Sequence, residues 1–256
     1  MNGILALAVA AIPAFVGSSV EFIEALTIVL AVGTTRGWRA ALWGAAAAAV
    51  TLAVIIAMFG TALVTIVPQS LLKFVVGSLL LLFGLKWLRK GILRFAGIVA
   101  FHDEELIYQK QVAALRAEGK SMQGFDKFSF FVSYKATLLE GMEVAFIVIA
   151  FGGTGPAAMQ AALVGAIAAG IVVIGAGIAL KQPLTMVPEN AMKFTVGAML
   201  VTFGVFWASE GLGVHWPLDA GLLPILFGVL CAVSWIGLKM LNMMLPQGAR
   251  VEAKRI

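Results

Sequence analysis

The sequence predicts an all-α integral membrane protein with seven transmembrane helices, arranged as two inverted three-helix repeats followed by a C-terminal helix. Three observations carry that prediction. The 256 residues are 61% hydrophobic and only 12% charged, against about 25% charged in ordinary soluble domains. The apolar residues fall into seven runs, near 4–33, 38–66, 70–93, 129–152, 157–180, 191–210 and 220–243, each about the 20 residues or more that a helix needs to cross a bilayer. Finally, the chain repeats itself.

The repeat is clearest in the third and sixth runs. Val67-Pro68 to Gly91-Ile92 matches Val187-Pro188 to Gly211-Leu212 at a constant offset of 120, pairing Lys73 with Lys193, Phe74 with Phe194, Phe83 with Phe203 and Trp87 with Trp207. Upstream, Val20-Glu21-Phe22-Ile23-Glu24 matches Leu139-Glu140-Gly141-Met142-Glu143 at offset 119. The repeat unit is three spans, and an odd number obliges the second copy to enter the membrane from the opposite side, an architecture shared by many secondary transporters. The predicted organisation is repeat 1 over 1–97, a cytoplasmic loop with an amphipathic helix over 98–127, repeat 2 over 128–214, and span 7 with a cytoplasmic tail over 215–256. Met1 to Gly17 has no basic residue ahead of it and continues into further apolar sequence, so it reads as part of span 1 rather than a cleaved signal.

Orientation follows from the basic residues. With the N-terminus outside, 17 of the 18 Lys and Arg fall on the cytoplasmic side and only Lys73 outside. The positive-inside rule therefore predicts N-out, C-in, and an odd number of spans, in a plasma (inner) membrane. The net charge of +5 is spread over span ends and one polar loop, which argues orientation and no nucleic-acid partner. The single Cys231 lies in an apolar run, so no disulfide framework or paired-cysteine site is possible.

Gly77, Gly84 and Gly91, with Gly197, Gly204 and Gly211, recur every seven residues and predict close helix packing through small residues. Trp87 and Trp207 are expected as anchors at opposite interfaces.

The chemistry lies in four carboxylates. Glu21 with Glu24, and Glu140 with Glu143, are i,i+3 pairs near the middle of their spans, so each pair projects from one helix face. An ionised group at the bilayer centre costs about 2.5–3.5 kcal/mol, hence about 10 kcal/mol for four left unpaired. No Lys or Arg stands within a turn of either pair, so the natural partners are protons, a bound cation, or both. Ser18 and Thr137 stand one turn earlier on the same faces and are auxiliary oxygen ligands. An all-oxygen site suits hard cations: iron, manganese or calcium as transported ion rather than tightly bound cofactor. Convergence of spans 1 and 4 at the repeat interface would make one midplane site, with Pro13 and Gly17 bending span 1.

In the loop, His102 with Asp103 and Glu105 could collect metal on the cytoplasmic side. Glu210, His215 and Asp219 could do so outside. An intramembrane enzyme and a scaffold subunit are the competing classes, since paired carboxylates also serve acid/base chemistry and Gly-striped helices also serve assembly. No metalloprotease, nucleophile-elbow or phosphate-loop motif is present, so the chain is expected to be a secondary transporter and no enzyme.

Glu-x-x-Glu motifs in spans 1 and 4 of a seven-span, N-out chain resemble the oxidase-dependent iron permease family, whose motif is Arg-Glu-Gly-Leu-Glu. The second copy here keeps that motif except for its arginine, and the first keeps the glutamates. The resemblance implies that Glu21, Glu24, Glu140 and Glu143 bind iron, and that an oxidase or metal-delivery partner is engaged. A weaker likeness is to manganese/calcium–proton exchangers built from two three-span repeats. Oligomeric state is left open.

Overall fold

A computed structural model describes residues 3–99, 103–118, 125–152, 156–180 and 188–244. Among them there are α-helices and one 3-10 turn, and no strand. The helices are α1 (Gly3–Arg36), α2 (Trp38–Ile66), α3 (Gln69–Phe95), α4 (Glu104–Ala117), α5 (Lys127–Gly152), α6 (Pro156–Leu180), α7 (Glu189–Gly211) and α8 (Leu223–Met244), with the 3-10 turn at Asp219–Leu222. Each of the seven apolar runs is thus helical.

Six of these, α1, α2, α3, α6, α7 and α8, are long and apolar enough to cross a membrane. The 26-residue α5 carries Lys127, Lys135, Glu140 and Glu143, which lower its apolar character. Local chemistry sets the ends. Gly37, at φ 125°, separates α1 from α2 in a backbone region that L side chains avoid. Asp103 caps α4 by accepting from the Leu106 N–H at 3.1 Å, and Pro156 opens α6, where its missing N–H costs nothing. Helix α1 runs unbroken through Pro13.

The chain forms two compact units, each gathering segments from both halves: Met1–Ala62 with Asp103–Val187, and Leu63–His102 with Pro188–Ile256.

In the first unit α1 packs against α4, α5 and α6. Arg36 of α1 meets Asp126 at the start of α5, while Glu21 meets Glu140 fourteen residues further along α5, so α1 and α5 run antiparallel. Glycines admit the close approaches. A Cβ on Gly165 of α6 would strike the Ala11 carbonyl of α1, and one on Gly44 of α2 would strike the Phe130 carbonyl of α5. The two contacts join α6 to α1 and α2 to α5 in the same way, through a glycine on one helix and a carbonyl on the other. Within the loop, Glu104–Ala117 is helical as α4 and packs on α1 rather than lying free on a surface. Leu115 is fully buried among Val29, Val32 and Ala41, and the Tyr108 hydroxyl is 2.9 Å from Thr34 Oγ1 of α1.

In the second unit α3 and α7 form the tightest pair. As the α3 position rises from Gly77 to Gly84 to Gly91, the facing α7 position falls from Ala208 to Val201 to Phe194. The two helices are therefore antiparallel, with backbones in contact along the glycine stripe. Trp87 and Trp207 depart from expectation: at 4% and 7% exposure they are buried in this packing, Trp87 beneath the Lys193 ammonium at 5.3 Å. Buried in this way, they do not serve as interfacial anchors.

Candidate metal site

The first unit brings carboxylates from two helices together. Carboxylate oxygens of Glu21 and Glu24 on α1 and of Glu140 on α5 all lie within 4.8 Å of one another. Glu21 is fully buried and the other two half-buried. Two such charges at that separation repel by about 3 kcal/mol at an effective dielectric near 20, so the cluster is poised to accept positive charge.

The sequence explains the convergence. Glu21 and Glu24 share the α1 face that meets α5. On the α5 side, Gly141 of the Glu-Gly-Met-Glu stretch leaves room for Leu52 of α2, whose Cδ1 a Cβ there would overlap. The equivalent residue on α1, Phe22, reaches instead to Gly170 of α6, with its Cζ 3.2 Å from where a Cβ would stand. Glu143, which the spacing ranks equally with Glu140, is half-buried and is not one of the three clustered carboxylates. Three residues along a helix is 300°, which turns it about 60° from Glu140.

Ser18 Oγ and Thr137 Oγ1, one turn before the two pairs, are buried without a hydrogen-bond partner among the described residues. Both are oxygen donors free to serve a cation. Ser133 Oγ, one turn before Thr137, is in the same condition and was not foreseen.

The loop candidates take other roles. Asp103 caps α4, Glu105 accepts from Gln109 Nε2 at 2.8 Å, and His102 lies outside the described residues. In the second unit Glu210 pairs with Lys73 at 3.0 Å and His215 is exposed. The Asp219 side chain is outside the described residues.

A second polar centre that sequence reasoning missed joins α1, α4 and α5. Arg36 Nε donates to Asp126 Oδ2 at 2.7 Å and to Ser129 Oγ at 3.1 Å, Nη2 to Asp126 Oδ1 at 3.2 Å, and Nη1 to the Leu115 carbonyl at 3.2 Å. The guanidinium also lies 5.1 Å from the Phe128 ring centroid. Hydrogen bonding from Arg36, with help from the Ser129 hydroxyl and N–H, lowers the Asp126 carboxyl from 3.8 to about 2. The pair therefore stays ionised at every physiological pH.

No curated protein and no solved structure shows significant similarity to the chain. A family model described as ferrous iron uptake permease, iron-lead transporter matches residues 98–239, more than half of the chain and including Glu140 and Glu143. With six helices apolar enough to cross a membrane, the chain is an integral membrane protein, and the family match points to a transporter. It belongs to the ferrous iron uptake permease, iron-lead transporter family.

Proposed function

We propose that this protein takes up iron across the membrane through the cluster of Glu21, Glu24 and Glu140, assisted by the Ser18 and Thr137 hydroxyls. Glu143 is the next carboxylate that the cation meets along α5. The observation carrying the reading is that three carboxylates from two helices of opposite direction converge within 4.8 Å in a chain of an iron permease family. Cation entry relieves the mutual repulsion of these groups, and protons exchanged at the same oxygens would couple uptake to a gradient.

In this reading α5 is the seventh span. Its 26 residues reach about 39 Å at 1.5 Å each, and its charges are shielded because α1, α2 and α6 pack around it. The antiparallel α1/α5 and α3/α7 pairs are what an inverted repeat would produce. The basic-residue distribution then sets N-out and C-in. Of the cations open at the sequence level, iron is the one the family supports.

Uptake of Fe²⁺, Pb²⁺, Mn²⁺ and Ca²⁺ into proteoliposomes tests this. Fe²⁺ flux that Pb²⁺ inhibits is the expected result. Flux of Ca²⁺ or Mn²⁺ with none of Fe²⁺ would overturn the assignment of cargo.

A further inference from the structure

Several of the described helical hydroxyls bond to their own helix. Ser19, Thr34, Thr51, Ser78, Thr195 and Thr202 each donate to the carbonyl four residues back. Ser133 and Thr137 do not. Ser133 is fully buried, and neither oxygen has a hydrogen-bond partner among the described residues. A buried hydroxyl left unbonded costs about 1–3 kcal/mol, and an alanine would remove that cost without changing the packing.

Their positions form a line. At 100° per residue, Asp126, Ser129, Ser133, Thr137 and Glu140 fall within an arc of about 80° on α5 and extend about 21 Å along it. One end is the carboxylate cluster. The other is the Arg36–Asp126 pair, whose side chains are 4% and 14% exposed, with Ser129 Oγ donating to Asp126 Oδ2 at 2.6 Å. In the same stretch of α1, Ala25, Val29 and Val32 are buried and apolar.

Building on the iron-site reading above, we propose that Thr137, Ser133 and Ser129 form the route by which the cation leaves the glutamate cluster, and that the Arg36–Asp126 pair is its gate. The hydroxyls replace, one at a time, part of the hydration shell the cation has lost. While Asp126 is held by Arg36, the guanidinium charge blocks the end of the route. When the carboxylate turns to the arriving cation, the same residue becomes its last protein ligand. A fixed positive charge at a constriction is an effective barrier to cations. Arg36 also fastens three helices together, so its own substitution cannot separate gating from folding, whereas Ser133 can.

The test uses the full chain in a Cys231→Ala background, with Fe²⁺ as the probe. Ser133→Ala is expected to lower Fe²⁺ flux by about tenfold, the effect of losing one oxygen contact to a charged group, with Fe²⁺ affinity unchanged and the thermal transition in detergent level or raised. Ser133→Cys is expected to resist a small charged methanethiosulfonate reagent and to react once Asp126→Asn is added. Wild-type flux in Ser133→Ala overturns the route, and a thiol that stays unreactive in folded Asp126→Asn protein overturns the gate. If Asp126→Asn does not fold, the Ser133→Ala flux decides alone. Glu21→Gln measured alongside separates the two readings: if it is inactive while Ser133→Ala is not, only the route fails, and if both transport normally the glutamate site itself fails.

Discussion

Glu21→Gln is expected to reduce iron uptake by about 100-fold or more while leaving the protein folded. Gln preserves the shape of a fully buried side chain and removes the charge that a bound cation requires. A charged contact is worth about 3 kcal/mol at the upper end, which is about 100-fold in an equilibrium or a rate. Folding should not suffer, because the substitution also removes the repulsion between Glu21 and its two carboxylate neighbours within 4.8 Å. The thermal transition in detergent is therefore expected to stay level or to rise. Glu105→Gln on α4 is the matched control. It changes a carboxylate whose partner is the neutral Gln109, and flux should remain that of the wild type. Equal flux in Glu21→Gln and Glu105→Gln would remove the cluster from the mechanism.

Gly84→Leu is expected to abolish the folded protein. A Cβ at Gly84 would lie 2.6 Å from the Val201 amide nitrogen and 2.9 Å from the Gly197 carbonyl oxygen. Both are backbone atoms of α7, which no rotamer change can move. Ordinary overpacking costs about 1–3 kcal/mol because side chains give way. Here α3 and α7 must separate along their length, and without a hydrophobic driving force between helices in lipid their association depends on that contact. Gly228→Leu on α8 serves as the comparison, since nothing stands within 4 Å of its added Cβ. Size-exclusion profiles and thermal transitions of the two variants should diverge completely. A monodisperse Gly84→Leu protein of wild-type stability would refute the account of α3–α7 packing.

Both effects trace to features legible in the sequence, and the reasons differ. The helices were legible because long apolar runs admit little else, whereas the charges that set α5 apart from the six helices apolar enough to cross a membrane were not weighed in the run count. The glutamate pairs were legible because a carboxylate is costly at that depth and the costly pair occurs twice. Which of the four would converge was not legible. An i,i+3 spacing places Glu140 and Glu143 on one broad face, and only the packing of α1 against α5 decides that Glu140 is clustered and Glu143 is not. The glycine stripe gave the close packing of α3 and α7 correctly. It did not reveal that Trp87 and Trp207 fill the same unit, because an aromatic near a helix end looks alike whether it faces lipid or a neighbouring helix. The Arg36–Asp126 centre was hidden for a similar reason. Its members are 90 residues apart, and an arginine at a span end is already accounted for by the positive-inside rule. The Asp126, Ser129, Ser133, Thr137, Glu140 periodicity was present in the sequence, and it acquires meaning only once α5 is known to begin at Lys127 and to pack on α1.

The central claim is that iron binds between Glu21, Glu24 and Glu140. Anomalous diffraction at the iron edge, from crystals of the full chain grown with Fe²⁺, tests it most directly. The account predicts a peak among these three carboxylates that is absent from crystals of Glu140→Gln. A peak elsewhere in the chain, or one that persists at full height in Glu140→Gln, would contradict it.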